Sequence, residues 1–147
     1  YGSFTFNADY NTTLKHIQQQ FPTDPVDDLL RDGNFYGPFK SIGSGSITWR
    51  VGPWSTTLYG IRYGRTFSRD AQSTVPPWTI FNASVQYNFS DDAAMTLIGN
   101  NIRNSRPPVD PSYAGQANYP WYNIYNYNNY GRLLMVELNM HFGGSKQ

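Results

Sequence analysis

Apolar and polar side chains alternate along the segment from Gly131 to Phe142. The even-numbered positions from 134 to 142 are apolar: Leu134, Val136, Leu138, Met140 and Phe142. The other parity is mostly polar: Met135, Glu137, Asn139 and His141. Because successive side chains of a β-strand point to opposite faces, this segment is predicted to be a strand with one apolar and one mostly polar face.

Alternation recurs in five earlier segments, less regularly after Thr12 in the first and in the segment 93–103, so the chain is predicted to be all-β with six antiparallel strands. The predicted strands cover residues 2–18, 40–51, 55–67, 78–89, 93–103 and 131–142. In the third strand, Arg62 points to the face opposite to that of Tyr59, Ile61 and Tyr63. We therefore expect Arg62 on the polar face, together with Arg50 and Glu137.

The connections between the predicted strands alternate between long and short. Short turns occur at 52–54 and 90–92, whereas residues 19–39, 68–77 and 104–129 form longer connections. Bacterial outer-membrane barrels have short periplasmic turns and long external loops. A soluble antiparallel sheet also alternates, but it has no need to place its long connections at one end. The two turns and residues 143–147, a short tail, are therefore predicted to be periplasmic.

Aromatic residues near the predicted strand ends fit this interpretation. Tyr10, Phe67 and Trp78 are expected at the outer membrane boundary, and Trp54, Tyr87, Phe89 and Phe142 at the inner one. Such girdles are typical of membrane barrels. The alternative is that these rings simply suit the pleated surface of any β-protein.

Six strands are too few for a closed membrane barrel, since the smallest have about eight. Either several chains assemble one barrel, or residues 1–142 are the last six strands of a larger one. The chain starts at Tyr1 with no signal peptide and enters a strand pattern at once. This favours a piece of a longer polypeptide.

Composition excludes several other functions. Lys and Arg total 11 against 10 Asp and Glu, so the charge balance does not favour nucleic acid as a partner. Without cysteine there is neither a disulfide nor a thiolate metal site. The aspartates at 24, 27, 28 and 32 lack the spacing of a calcium loop, and the two histidines share no metal-ligand spacing. No nucleophile–base arrangement is present, so no enzyme is predicted. Neither a metal nor a cofactor is predicted.

The order of several segments resembles the C-terminal end of TonB-dependent outer-membrane receptors. The segments are GSITWRVGPWSTTLYGIRYGR, FNASVQYNF, LIGNNIRNSRPPVDPSY and YGRLLMVELNMHF. The family's closing motifs have their counterparts here in Asn101 to Asn104, the prolines at 107 and 108, Gly131 with Arg132, and Phe142. Arg103 and Asn104 depart from the Phe and Asp that are usual there.

The resemblance implies a bacterial outer-membrane protein with a 22-stranded barrel and an N-terminal plug domain. Such receptors bind a scarce ligand of the siderophore, haem, cobalamin or saccharide class and import it with energy from the TonB complex. The implied partners are outer-membrane lipid, the remainder of the same barrel with its plug, TonB through an N-terminal part absent from this chain, and the imported small molecule. Phe142 would be the signal for barrel assembly.

The connection 104–129 is the strongest candidate for ligand binding. Rings interspersed with amides suit sugar faces or flat aromatic ligands, because they combine stacking with oriented hydrogen bonds. The candidate binding residues are Tyr113, Tyr119, Trp121, Tyr122, Tyr125 and Tyr127. The alternative is that these rings only order a long external loop.

Two other functions remain open from the sequence. One is an outer-membrane barrel or adhesin that transports nothing. The other is a soluble β-sandwich that binds carbohydrate, in which the apolar strand faces would form the core between two sheets.

Overall fold

The computed structural model describes residues 1–31, 38–110, 112, 121–124 and 126–142. The described chain is all-β and contains no α-helix. Consequently, none of these residues belongs to a helix long and apolar enough to cross a membrane.

Six long strands form one antiparallel sheet. They are β1 (Ser3–Thr12), β4 (Ser41–Val51), β5 (Trp54–Tyr63), β8 (Trp78–Ser90), β9 (Ala93–Asn100) and β10 (Leu133–Met140). Each long strand pairs with the next long strand along the chain, giving the order β1-β4-β5-β8-β9-β10. The prediction of six antiparallel strands is therefore confirmed.

Two tight turns join neighbouring strands at one end of the sheet. Gly52 and Pro53 connect β4 to β5, and Gly52 has a φ of 53°, which the first position of such a hairpin turn requires and glycine adopts without strain. Asp91 and Asp92 connect β8 to β9, next to a β-bulge between Asn88 and Ser90. Both short connections match their predicted positions.

The long connections at the opposite end contain two small ribbons. In the first, β2 (Ile17–Gln18) pairs with β3 (Asp27–Asp28). In the second, β6 (Thr66–Phe67) pairs with β7 (Thr74–Val75). The predicted strands 2–18 and 55–67 are therefore each interrupted, at Thr12 and at Tyr63, and the strand predicted at 93–103 ends at Asn100.

The register aligns the alternating side chains of the six strands into two surfaces, one of them mostly apolar. We call one surface the apolar face; its central members lie opposite one another across β5, β8, β9 and β10, at Thr56, Val85, Leu97 and Val136. The other surface, the polar face, carries Thr57, Ser84, Ile98 and Met135 in the neighbouring row. The apolar face further includes Phe4, Phe6, Tyr10, Ile47, Trp49, Trp54, Leu58, Phe81, Ala83, Tyr87, Met95, Leu134, Leu138 and Met140.

The expectation that Arg62 lies on the polar face is wrong. Arg62 pairs with Gly43 and Thr79, which belong to the apolar face, whereas Tyr59 and Tyr63 lie on the polar face. Both parities of this strand contain apolar residues, so its orientation depends on its neighbours. Arg62 is exposed near the end of β5, where a long side chain can reach past the apolar surface.

The sheet is open at both edges. Every residue of β1 and of β10 is exposed, and within the described ranges no strand pairs with the outer edge of either. The described residues thus form neither a closed barrel nor a sheet of 22 strands.

Candidate functional site

The long connections pack onto the polar face at the end of the sheet away from the tight turns. The aromatic cluster, as we call this packing, has a buried centre of Val75, Trp78, Tyr122 and Tyr127, with Phe39, Tyr63 and Ile80 against it. Trp78, Tyr63 and Ile80 come from the sheet, and the others come from three separate connections. The cluster is therefore the point at which the three loops are fixed to the strands.

Ring contacts within the aromatic cluster are mostly edge-on, which is the favourable arrangement for aromatic quadrupoles. The ring of Tyr127 lies 5.6 Å from that of Trp78 and 5.3 Å from that of Phe39, both nearly perpendicular. Trp78 also donates its indole N–H to the Ser105 hydroxyl at 3.0 Å. The expectation of Trp78 at an outer aromatic girdle is wrong, because its ring is buried on the polar face and beneath the loops.

Tyr127 is 4% exposed, and among the described residues its hydroxyl has no hydrogen-bond partner. Burial, and then the negative charge of nearby Asp110, raise the pKa of Tyr127 to about 12. The phenol is therefore neutral at physiological pH and contributes to the cluster through its ring.

Asp110 links two of the connections. Its side chain is buried and accepts hydrogen bonds from the Arg69 N–H at 2.9 Å and from both the N–H and the hydroxyl of Ser112, at 2.9 and 2.6 Å. Its own N–H donates to the Trp121 carbonyl oxygen at 2.8 Å. Because these donors would lose a charged acceptor without Asp110, this carboxylate has a structural role in holding the loops.

The motif that carried the family resemblance forms the turn after β9. Asn101 and Asn104 both have positive φ angles, which asparagine tolerates better than most residues. The Asn101 side chain exchanges hydrogen bonds with the backbone of Ser105, and the Asn104 side chain accepts the Arg132 N–H at 3.0 Å. A Cβ on Gly131 would lie 2.8 Å from Asn104 Oδ1, so glycine allows this close approach. The structure thus brings together two parts of the motif that are distant in sequence.

A groove of about 420 Å³ lies on the polar face beside the aromatic cluster. We call it the neutral groove, because none of the described residues that line it carries a charge. Its lining combines rings with amides: Tyr59, Tyr63, Tyr130, Asn82, Asn100 and Asn128 are among its residues. Its volume falls within the range of small-molecule sites, and its donors and acceptors suit a neutral ligand rich in hydroxyl groups.

The predicted binding residues have different environments. Tyr113, Tyr119 and Tyr125 lie outside the described residues. Trp121 is 45% exposed, whereas Tyr122 and Tyr127 are buried in the aromatic cluster. A ligand can reach Trp121 directly, but it can contact the two buried rings only if the cluster opens. Their role in ligand binding stays a prediction.

The predicted assembly residue, Phe142, lies just beyond β10. It is 88% exposed and has the same parity as the apolar residues of that strand. The N–H of the preceding residue, His141, donates to the Asp92 carbonyl oxygen at 2.9 Å, which continues the pairing with β9.

The strand residues of the neutral groove were missed by reasoning from sequence. Tyr59, Asn82 and Asn100 come from three different strands and converge only through the register of the sheet. A usable signal was the placement of tyrosine or asparagine toward the loop end of these three strands. Comparisons with protein-family models, with curated proteins and with solved structures found no match to this chain.

Proposed function

We propose that this chain is the last six strands of a TonB-dependent receptor barrel in the bacterial outer membrane. In this proposal the whole receptor binds a small ligand at the cell surface and imports it. The observation that carries the proposal is the apolar face, which extends across all six strands and is largely exposed.

The size of the apolar face supports lipid as its environment. Leu134, Val136 and Leu138 of β10 are 57% to 69% exposed, and Phe4 and Phe6 of β1 at the far edge are 58% and 70% exposed. Soluble monomers rarely expose apolar patches larger than a few hundred square ångströms. Strands of 8 to 13 residues also match the length that crosses a bilayer at a tilt.

The open edges of β1 and β10 support additional strands in the same barrel. In lipid, an unpaired edge leaves N–H and C=O groups without partners, at a cost of several kcal/mol for each group. The remainder of the same polypeptide, with its plug domain, would cover these edges. Coupling to TonB would then pass through that N-terminal part.

The polar face would line the interior of the barrel, and the aromatic cluster would lie at its external mouth. There the neutral groove and the exposed ring of Trp121 are accessible to an incoming ligand. The ligand belongs to the siderophore, haem, cobalamin or saccharide class, and the uncharged lining of this groove favours a saccharide among them.

Single-cysteine labelling tests the membrane part of the proposal, because the chain has no cysteine of its own. Val85→Cys on the apolar face and Ser84→Cys on the polar face are adjacent in a central strand and serve as matched controls. A nitroxide at position 85 should collide with oxygen more than with a water-soluble nickel complex, and one at 84 should do the reverse. Water-like collisions at both positions in a protein that remains soluble would support a β-sandwich instead.

Uptake measurements test transport separately. Cells that express or lack the full-length protein would be given ⁵⁵Fe-ferrichrome, haemin, cyanocobalamin or a radiolabelled maltodextrin. We expect one of these to accumulate only when the protein is present and the proton gradient is intact. Correct membrane labelling with no energy-dependent uptake of any probe would favour a barrel or adhesin that does not transport.

A further inference from the structure

A second groove, of about 390 Å³, lies between the first and second long connections. Three cationic side chains line it, from Arg31, Lys40 and Arg65. Among the described residues the lining includes one carboxylate, Asp28, so these residues give the groove an excess of positive charge. We call it the basic groove. It shares no lining residue with the neutral groove.

Lys40 and Arg65 lie opposite each other where the pairing of β4 with β5 ends. The Lys40 N–H donates to the Arg65 carbonyl oxygen at 3.3 Å. Like charges directly opposite on neighbouring strands destabilise a sheet, unless something between them compensates. Within the described ranges, no carboxylate forms an ion pair with Lys40, Arg65 or Arg31.

Two other charged groups of the basic groove make local contacts. The Arg31 guanidinium lies 5.9 Å from the centre of the Phe67 ring, a cation–π distance that orients the charge at the groove wall. The Asp28 carboxylate accepts the Leu30 N–H at 3.1 Å, so one of its oxygens is used in a local turn. Among its described lining residues, the groove therefore combines three cations, one of them oriented by a ring, with a single carboxylate.

We propose that the basic groove binds a compact oxyanion, namely a phosphate or carboxylate group. Such an anion between Lys40 and Arg65 converts their repulsion into two attractions, and arginine can hold it with paired N–H donors. The proposal is independent of the proposed function, because it depends only on these side chains. The same chemistry is offered by a free anion and by a lipid headgroup.

Thermal unfolding of the full chain, in a buffer or detergent that keeps it monodisperse, tests the proposal with inorganic phosphate as the probe. Phosphate should raise the unfolding midpoint more than chloride does at equal ionic strength. Lys40→Gln and Arg65→Gln should each weaken phosphate binding on the order of tenfold, since each removes a charge-assisted contact. Lys15→Gln is the matched control, because Lys15 is an exposed cation that also lies between β1 and β4 but does not line the groove.

Lys40→Glu separates this proposal from a general loss of folding. Glutamate opposite Arg65 makes an attractive pair, so we expect a higher unfolding midpoint without phosphate and no further rise when phosphate is added. An unchanged or lower midpoint for this variant, with its phosphate response intact, would overturn the proposal.

Vesicles distinguish the two sources of the anion. Vesicles that contain lipopolysaccharide and vesicles of phosphatidylcholine alone would be compared for binding of the wild-type chain and Lys40→Gln. A dependence on Lys40 that appears only with lipopolysaccharide identifies a headgroup ligand, and a response to free phosphate identifies a soluble one. The absence of a Lys40-dependent response to either probe would contradict the proposed site.

Discussion

The two faces of the sheet are formed by the same six strands, yet they differ in what covers them. On the polar face, three connections pack over one end and bury Trp78 and Tyr127. On the apolar face, side chains such as Val136 and Phe6 are about 70% exposed. The side with more polar residues therefore contains the buried core, and the side with more apolar residues lies open.

This inversion shows that burial in this chain is organised by its loops rather than by its apolar strand positions. In a soluble protein the apolar face would be covered, because burying apolar surface is the main favourable term in folding. An exposed apolar face and a covered polar face are compatible when lipid replaces water on one side. Substitutions on each face test this contrast separately.

Trp78→Ala should have the largest effect, because it removes the ring on which the aromatic cluster is assembled. Loss of a buried tryptophan costs about 3–5 kcal/mol of folding free energy. Hydrogen exchange should show loss of protection in the residues around Tyr122 to Tyr127, with the pairing of β4 and β5 retained. Tyr130→Ala is the control, because that side chain is 79% exposed. Equal effects of the two substitutions would mean that the cluster does not hold the loops.

Leu97→Arg tests the other face. Leu97 is 49% exposed at the middle of β9 on the apolar face, and its neighbour Thr96 points to the polar face. If the apolar face contacts lipid, arginine at 97 costs about 2–4 kcal/mol, whereas arginine at 96 costs much less. Urea unfolding in lipid vesicles measures both variants. If Leu97→Arg were tolerated as well as arginine at 96, the apolar face would contact water, and the two faces would not differ in their environment.

Asp110→Ala tests how the loops are tied to each other rather than to the sheet. The substitution leaves the partly buried donors of Arg69 and Ser112 without this acceptor, at a cost of about 2–3 kcal/mol. Asp110→Asn retains an acceptor oxygen and should cost about half as much. Chemical denaturation of both variants gives the comparison, and equal losses would show that the charge of Asp110, not its hydrogen bonds, stabilises this region.

Much of the sheet could be predicted from sequence, because alternation and turn chemistry are local signals. The short turns at Gly52–Pro53 and Asp91–Asp92 lie where polar and turn-forming residues interrupt the alternation. The predicted orientation of β5 was wrong because tyrosine suits either face. Tyr59 and Tyr63 were assigned to the apolar face, but pairing with β4 and β8 places them on the polar face.

Less of the candidate site could be predicted, because it depends on contacts between distant segments. Adjacent residues in the same aromatic loop have opposite environments: Trp121 is 45% exposed and Tyr122 is 6% exposed. No local pattern distinguishes them, since both are large rings in a stretch rich in asparagine. The basic groove likewise brings Arg31 and Arg65 together, and part of its lining comes from the two ribbons. The sequence predicted these ribbons only as parts of longer strands or as loop.

Tyr127→Phe has the smallest expected effect and gives the finest test of the buried cluster. The ring remains, but a buried hydroxyl that lacks a partner within the described chain is removed. At neutral pH the variant should therefore be more stable by about 1 kcal/mol, as measured by chemical denaturation. Tyr130→Phe, at an exposed position, should change nothing. A less stable Tyr127→Phe would show that the hydroxyl is bonded after all.

The pH dependence of the same pair of proteins provides an independent check. Because folding raises the pKa of Tyr127 from 10.0 to about 12, the folded chain retains this proton where the unfolded chain has lost it. The neutral phenol therefore supports the folded state below pH 10, and this contribution is lost as the pH rises through about 12. Between these values wild-type stability should fall more steeply than that of Tyr127→Phe. Parallel curves would mean that Tyr127 ionises as freely as an exposed tyrosine, and the aromatic cluster would then be open to water like the other face of the sheet.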